Sequence, residues 1–220
     1  MGNKLYYNAL PPLLLNVLKS LMAAKEFEVF RLVGGTALSL YRGHRVSVDI
    51  DLFSDAPYNS IDFGAIDAFL RNTFSYVDTN EYKVVGPGKS YYIGDSKEDC
   101  FKLDLFYTDK FIQDIILIDG IRLATIEEII AMKIDIISRG GRKKDFWDVH
   151  ELKDDYSIYK MLDLHKQRNP DTHDGDQIRR NFTNFKNADD DFDPICLKGK
   201  YWEIIKLDII DFANASGRVL

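Results

Sequence analysis

A strict alternation of polar and apolar side chains runs through Ser47-Val48-Asp49-Ile50-Asp51-Leu52-Phe53. This period of two predicts a β-strand with Asp49 and Asp51 on one face. Residues two apart on a strand lie about 6.6–6.8 Å apart along it, and paired divalent ions in phosphoryl-transfer sites lie about 3.5–4 Å apart. The two carboxylates are therefore spaced to bridge a pair of metal ions. The alternative is a strand whose acidic face is simply exposed to solvent.

A glycine turn precedes this strand, within Val33-Gly34-Gly35-Thr36-Ala37-Leu38. The pattern predicts a strand over 28–33, a turn at Gly34 and Gly35, and a helix over 36–41. Backbone N–H groups at the start of a helix form a seat for an anion such as a phosphate. The hydroxyl of Thr36 would add a donor. A plain Gly-Gly turn is the alternative interpretation.

A third carboxylate lies on a second predicted strand, Phe101-Lys102-Leu103-Asp104-Leu105-Phe106-Tyr107. Asp104 is a lone carboxylate on a largely apolar strand. Neighbouring strands lie about 4.8 Å apart, so Asp104 would complete a carboxylate trio if this strand lies beside the first. The trio would hold metal, and Asp104 would help to activate an acceptor hydroxyl. An edge-strand aspartate facing water is the alternative.

Two basic features follow in the helical second half of the chain. Lys133 lies among isoleucines on a helix predicted over 126–139, which Thr125 and Glu128 begin as a capping box. Either Lys133 reaches out from the edge of the core, or it contacts a buried anion such as a triphosphate. The loop Arg139-Gly140-Gly141-Arg142-Lys143-Lys144-Asp145 is either a phosphate or RNA contact or a solvated turn. Lys144 and Asp148 are spaced for an i,i+4 ion pair.

The remaining patterns complete an α+β plan. They predict helices over 13–22, 61–74 and 143–154, a β-meander over 76–107, a strand over 115–118 and three amphipathic C-terminal helices. We expect a mixed β-sheet flanked by helices in residues 1–119 and a helical region over 120–220 that completes the cleft.

Composition excludes several classes of protein. The 220 residues are 45% hydrophobic and 29% charged, which is typical of a globular chain. The net charge of −6 means that any polyanion must meet a local basic patch. The two cysteines, Cys100 and Cys196, form no metal-binding or disulfide pattern. We find no signal peptide and no membrane span, so we expect a cytoplasmic protein without a membrane partner.

Together, four ordered motifs resemble the AbiEii/AbiGii toxin-like nucleotidyltransferases of the DNA polymerase β-like superfamily. Two stretches of this sequence resemble the first signature of the family: Gly34-Gly35-Thr36-Ala37-Leu38, and Gly43-His44-Arg45 through Phe53. The third-carboxylate strand is similar to Lys102-Leu103-Asp104-Leu105. The later motifs are similar to Met132-Lys133 through Arg139-Gly140 and to Lys144-Asp145-Phe146-Trp147-Asp148. Many relatives have a longer C-terminal half, which implies that acceptor recognition differs here.

The resemblance implies a metal-dependent enzyme that moves a nucleoside monophosphate from an NTP to an acceptor hydroxyl. Asp49, Asp51 and Asp104 would bind two Mg²⁺ ions. Phosphate and nucleotide contacts would come from the following residues: Gly34, Gly35, Thr36, Lys133, Arg139, Lys144 and Asp145. The acceptor would be RNA, such as the end of a tRNA, in a toxin–antitoxin or abortive-infection setting with a cognate antitoxin. The alternatives are a small-molecule nucleotidyltransferase, like those that inactivate aminoglycosides, and a non-catalytic nucleotide-binding domain.

Overall fold

The structure is a computed structural model that describes residues 4–79 and 86–214. Its helices are α1 Pro12–Ala23, α2 Gly34–Arg42, α3 Phe63–Thr73, α4 Ile126–Ser138, α5 Lys143–Leu152, α6 Ile158–Arg168, α7 Gly175–Phe182, α8 Lys186–Asp189 and α9 Trp202–Asn214. Its strands are β1 Arg31–Leu32, β2 Asp49–Ser54, β3 Tyr76–Asp78, β4 Gly88–Gly94, β5 Cys100–Tyr107, β6 Ile116–Ile118 and β7 Ile121–Leu123. The predicted α+β class with a mixed sheet is confirmed.

One sheet of seven strands carries the fold, in the order β3-β4-β5-β2-β1-β7-β6. The central strands β2 and β5 run parallel, and β1 pairs antiparallel with β2. Along β2, Ile50 and Leu52 are fully buried while the alternate residues are partly exposed. The alternation seen in the sequence therefore places the acidic face of β2 away from the core.

Three elements differ from the predictions. The strand expected over 28–33 is reduced to Arg31–Leu32, because the chain before it turns through a 3-10 helix at Lys25–Phe27. Helix α2 begins at Gly34 instead of Thr36. Part of the predicted meander, residues 80–85, lies outside the described residues.

A hairpin that we did not predict extends the sheet beyond residue 119. Asp119 and Gly120 have φ angles of 51° and 80°, which is the left-handed geometry of tight hairpin turns. They join β6 to β7, and β7 pairs parallel with β1. The proposed boundary at residue 119 falls inside this hairpin, and the division into two regions stays a prediction.

Helix α4 packs an apolar face into the core and supports the site. Ile129, Ile130, Ile134 and Ile137 are fully buried. Thr125 caps the helix by accepting a hydrogen bond from Glu128 N at 3.1 Å. A capping box would also have the Glu128 carboxylate accept from the backbone N–H of Thr125. Instead, this carboxylate accepts from Ile112 N and from Arg168.

Within residues 4–79 and 86–214, no helix combines the length and the apolar character that a membrane span requires.

Candidate active site

Three carboxylates lie on one face of the sheet. In the parallel register of β2 and β5, Asp51 is directly opposite Asp104, and Asp49 is opposite Lys102. Facing partners in a sheet share a face, and Asp49 lies two residues from Asp51 on the same strand. The structure therefore brings together Asp49, Asp51 and Asp104, as the sequence analysis expected.

Two of these carboxylates contact lysine ammonium groups. Asp104 accepts hydrogen bonds from Ser90 Oγ at 2.6 Å and from Lys102 Nζ at 2.7 Å. Asp49 Oδ2 accepts from Lys144 Nζ at 3.1 Å. The predicted pair between Lys144 and Asp148 was wrong, because Lys144 reaches across to β2 instead.

Asp51 lies at the centre of this negative charge. Burial raises the pKa of its carboxyl group, and repulsion by Asp104 and Asp49 raises the pKa further, against attraction by Lys133 and Lys144. The folded protein therefore disfavours the ionised form of Asp51. A cation placed against the trio would relieve this repulsion.

The glycine turn faces Asp51. Gly34 has φ of +66°, and a Cβ atom there would lie 2.8 Å from Asp51 Oδ2. At Gly35 a Cβ atom would lie 2.2 Å from Arg45 Nη2. A side chain at either position would have to displace Asp51 or Arg45, and the positive φ of Gly34 would add backbone strain for any other residue.

Helix α2 directs its first backbone N–H groups toward the same region. Its N-cap residue, Val33, provides no side-chain cap, so the orphan donors at this end remain for an anion. The side chain of Thr36 is buried. Its hydroxyl donates to Asp49 O and pairs with Ser47 Oγ at 2.8 Å, so it anchors the start of β2, and its predicted contact with phosphate stays a prediction.

A buried cluster of ion pairs lies behind the turn. Lys133 Nζ contacts Asp145 Oδ1 at 2.6 Å and Asp148 Oδ2 at 2.7 Å. Asp148 also accepts from Arg45 Nε and Nη2, at 2.7 and 2.9 Å, and lies 2.7 Å from His44 Nε2. The cluster therefore joins three parts of the chain: the segment between α2 and β2, helix α4 and helix α5.

Mutual attraction sets the charges of this cluster. Burial opposes ionisation of Asp148, but Arg45 and Lys133 outweigh it and hold the pKa of this carboxyl well below its usual range. Burial likewise opposes the charge of Lys133, and Asp145 with Asp148 raises the pKa of its ammonium. Both groups are therefore ionised at neutral pH.

These elements enclose a cleft of about 410 Å³, a size typical of small-molecule sites. Asp49 and Asp51 line it opposite Gly34 and Gly35. Its basic residues are Arg45, Lys133, Arg139, Arg142, Lys144 and Arg168. Four carboxylates, those of Asp49, Asp51, Asp109 and Asp135, also line the cleft, so basic and acidic side chains share its walls in a chain whose net charge is −6.

The predicted nucleotide-binding residues divide into two groups. Lys133, Arg139 and Lys144 line the cleft. Arg139 also forms an i,i+4 ion pair with Asp135. Asp145 is fully buried and serves as the partner of Lys133 and Arg142, so its contacts orient cleft residues.

The carboxylate trio fits a divalent cation by its chemistry. Carboxylate oxygens are preferred ligands of Mg²⁺, and the raised pKa of Asp51 marks a place where positive charge is favourable. Within the described part of the chain, no three His, Cys, Asp or Glu side chains are gathered closely enough to hold a metal ion as they stand. Lys144 contacts Asp49 and Lys102 contacts Asp104 in this arrangement.

Comparison with known protein families agrees with this geometry. Residues 16–213 match the family model described as the nucleotidyl transferase AbiEii toxin of a type IV toxin–antitoxin system. The chain belongs to the AbiEii family. It is therefore a nucleotidyltransferase of a toxin–antitoxin family, as predicted. No protein among the curated sequences matched.

Solved structures share the fold of this AbiEii-family chain. A crystal structure described as a nucleotidyltransferase from H. pylori has a TM-score of 0.59 and 22% identity, covering 91% of this chain and 90% of its own. JHP933 from Helicobacter pylori has a TM-score of 0.53 and 21% identity, with 91% and 87% coverage. The MenT4 nucleotidyltransferase toxin of Mycobacterium tuberculosis has a TM-score of 0.54 and 12% identity, with 91% and 80% coverage.

Two residues of the AbiEii-family site were missed as functional candidates. Arg45 and Asp148 form the centre of the buried cluster, and Arg45 also lines the cleft. Both residues lie within the quoted motifs, but they bind each other across 103 positions of sequence. The sequence did offer a signal for a buried charge, because Asp148 stands among the apolar residues Phe146, Trp147 and Val149.

Proposed function

We propose that this enzyme transfers a nucleoside monophosphate from an NTP to a hydroxyl group of RNA, with the end of a tRNA as the leading acceptor, in a Mg²⁺-dependent reaction. One observation carries the proposal: Asp49, Asp51 and Asp104 share a sheet face that lies against the Gly34–Gly35 turn. Asp49 and Asp51 of this trio line the cleft together with Gly34 and Gly35, so acidic groups for metal and backbone donors for phosphate meet there.

The bond changes follow from nucleotidyl transfer itself. The acceptor oxygen forms a bond to the α-phosphorus of the NTP, and the bond between that phosphorus and the oxygen leading to the β-phosphate breaks. Pyrophosphate leaves, and the hydroxyl proton passes to a carboxylate or to water. Catalysis of such a step depends mainly on positioning and on neutralising charge.

Each part of the cleft has a place in this proposal. The N–H groups of Gly34 and Gly35 bind the triphosphate, with Lys144 and Arg139 at the rim and Lys133 adding positive charge from the back wall. Asp49, Asp51 and Asp104 would hold two Mg²⁺ ions, which supply charge neutralisation and an activated acceptor oxygen.

The basic rim supports an RNA acceptor. Arg139, Arg142 and Lys144 lie at the cleft of an otherwise acidic chain, and phosphate backbones bind such local clusters. Family membership supports an antitoxin protein as a partner and toxicity in the host. The cytoplasm, which contains both NTPs and RNA, is the expected location.

Transfer of a labelled nucleotide tests the proposal. The full chain is incubated with each α-labelled NTP, Mg²⁺ and either total RNA or an aminoglycoside. We expect label on RNA, and we expect none with Asp49→Asn or Asp51→Asn, each checked for folding by circular dichroism. Label on the aminoglycoside alone would move the acceptor to small molecules. Activity retained by either variant would reject the metal assignment.

A further inference from the structure

The cleft has a second end, on the far side of Asp51 from the glycine turn. Phe53 lines the cleft and lies two residues beyond Asp51 on the same face of β2, about 6.6–6.8 Å along the strand. Its partner on β1 is Arg31, three residues before Gly34. Phe53 therefore lies past the carboxylates as seen from the glycine turn.

Helix α6 brings Asn169 to the same end. Asn169 follows the last residue of the helix, Arg168, and both residues line the cleft. Arg168 Nη2 donates to Thr108 Oγ1 at 2.6 Å, and Thr108 N donates to the carbonyl of Ser54, next to Phe53, at 2.9 Å. We call the part of the cleft beside Phe53 and Asn169 the Asn169 end.

Apolar side chains form the wall of the Asn169 end. Met132 and Ile136 lie one turn apart on helix α4 and line the cleft. The ring of Phe53 packs edge-on against that of Phe106, with 6.0 Å between the ring centroids, which restricts its orientation. An aromatic ring system is a ligand that suits such a wall.

The charged groups of the Asn169 end are paired or exposed. Arg168 binds Glu128, and Arg139 binds Asp135. Asp109 also lines the cleft and is exposed, so water solvates its carboxylate. These charges leave no excess of cations, and this end therefore suits a neutral ring better than another phosphate.

The side-chain amide of Asn169 is an uncommitted polar group at this end. Among the described residues, none accepts a hydrogen bond from its buried Nδ2 atom. No such partner holds the amide in one orientation, and the torsion about its Cβ–Cγ bond has broad preferences. Rotation about this bond turns either the donor or the acceptor of the amide toward the cleft.

The backbone of Asn169, in contrast, is fixed. Its N–H donates to His165 O at 2.8 Å, and its carbonyl accepts from Thr172 N at 3.3 Å. Pro170 follows and narrows the conformations open to Asn169. The amide therefore rotates at a set distance from the carboxylates.

We infer that Asn169 binds the Watson–Crick edge of the NTP base and determines which size of base the enzyme accepts. This inference rests on the proposed function, because it requires the triphosphate at Gly34 and Gly35. Every base offers a donor beside an acceptor on this edge, and a rotating amide matches either order. The edge of a purine lies farther from the sugar than that of a pyrimidine, so a fixed backbone suits one class.

Isothermal titration calorimetry with the α,β-methylene analogues of the four NTPs, Mg²⁺ and no RNA tests this inference. These analogues keep the base and the triphosphate but cannot release pyrophosphate. With the full chain, we expect the two purines to bind alike, the two pyrimidines to bind alike, and the two classes to differ. Asn169→Ala should weaken binding of the preferred class roughly 3- to 10-fold, the scale of one neutral hydrogen bond.

Inorganic tripolyphosphate separates a base contact from a general disturbance of the cleft. It has no base, so Asn169→Ala should bind it as tightly as the unmodified chain does. Asn72→Ala is the matched control and should bind every analogue normally, since Asn72 is exposed on helix α3 and lies outside the cleft lining. Unchanged affinity of Asn169→Ala for all four analogues, an equal loss for tripolyphosphate, or no difference between the two classes in the unmodified chain would overturn the inference.

Steady-state transfer separates this inference from the proposed function. Asn169→Ala should raise KM for the preferred NTPs and leave KM for RNA unchanged. A change in KM for RNA alone would assign Asn169 to a base of the acceptor, which overturns the inference and leaves the enzymatic proposal intact. An Asn169-dependent preference among the analogues with no transfer to any acceptor would support the inference and reject the enzymatic proposal.

Discussion

Replacing Asp51 with asparagine should abolish activity and at the same time stabilise the fold. Asp51 faces Asp104 across two paired strands and shares a strand face with Asp49. Burial disfavours its ionised carboxyl group most, and both neighbouring carboxylates repel it as well. Asparagine has nearly the same shape without the charge, so the variant removes the repulsion with little change in packing.

The size of the effect follows from the spacing of the sheet. At about 4.8 Å between strands and an effective dielectric constant of about 20, one carboxylate pair repels by roughly 3 kcal/mol. Lys133 and Lys144 offset much of this repulsion. We expect a net gain of about 1–2 kcal/mol in the free energy of unfolding at pH 7, or about 2–8 °C in Tm.

The pH dependence has a definite sign. The pKa of Asp51 is raised in the folded state, above about 3.9 in the unfolded chain. The folded protein therefore loses stability relative to the unfolded chain as pH rises above about 3.9, because the unfolded chain releases this proton first. The advantage of Asp51→Asn over the unmodified chain should be largest at pH 7 and should vanish below about pH 3.9.

Urea denaturation followed by circular dichroism measures this difference at a series of pH values. Asp95→Asn is the control, because Asp95 is exposed and should change stability by less than about 0.5 kcal/mol. Added Mg²⁺ should stabilise the unmodified chain more than Asp51→Asn. The reasoning is refuted if Asp51→Asn is destabilised at pH 7, or if its advantage persists at acidic pH.

Two further substitutions probe the walls of the cleft. Asp148→Asn leaves Arg45 and Lys133 short of a buried partner, so urea denaturation at pH 7 should show a loss of about 3–5 kcal/mol. Because the pKa of Asp148 is held well below its usual value, the difference should begin to shrink as pH falls below about 3.9 and should disappear only once the pH is below the depressed pKa. A loss under about 1 kcal/mol at pH 7 would contradict the cluster. Gly34→Ala places a methyl group 2.8 Å from Asp51 Oδ2 at a φ of +66° and should reduce labelled-nucleotide transfer at least tenfold, about 1.4 kcal/mol. Gly120→Ala, at φ +80° with nothing within 4 Å, has the backbone strain alone and should keep full transfer; equal losses would show that closeness to Asp51 is irrelevant.

The acidic face of β2 could be predicted because it depends on local chemistry alone. A period of two fixes which residues share a face, and buried Ile50 and Leu52 leave Asp49 and Asp51 on the other face. The position of Asp104 depends on which strand pairs with β2 and in what register. Alternation within one strand carries no such information. The sequence therefore offered Asp104 only as a lone carboxylate that would join the pair if its strand lay beside β2, and the family resemblance gave it the same place.

The buried ion cluster shows where local spacing misleads. Lys144 and Asp148 are spaced to pair on one helix, yet Lys144 binds Asp49 and Asp148 binds Arg45 and Lys133. Tertiary contacts determined these partners, because a buried carboxylate requires more compensation than one exposed lysine provides. The β6–β7 hairpin had a usable local signal in Asp119-Gly120, which we interpreted only as the start of the helical region.

The most direct test of the central claim is the rate of α-labelled nucleotide transfer by Asp104→Asn in the presence of Mg²⁺. Asp104 is the carboxylate contributed by the second strand, so its role distinguishes a three-carboxylate centre from an acidic strand face. We expect a rate at least about 100-fold below that of the unmodified chain, a barrier increase of about 2.7 kcal/mol, while Asp95→Asn keeps the full rate. An Asp104→Asn enzyme that transfers nucleotide at the unmodified rate would contradict the account.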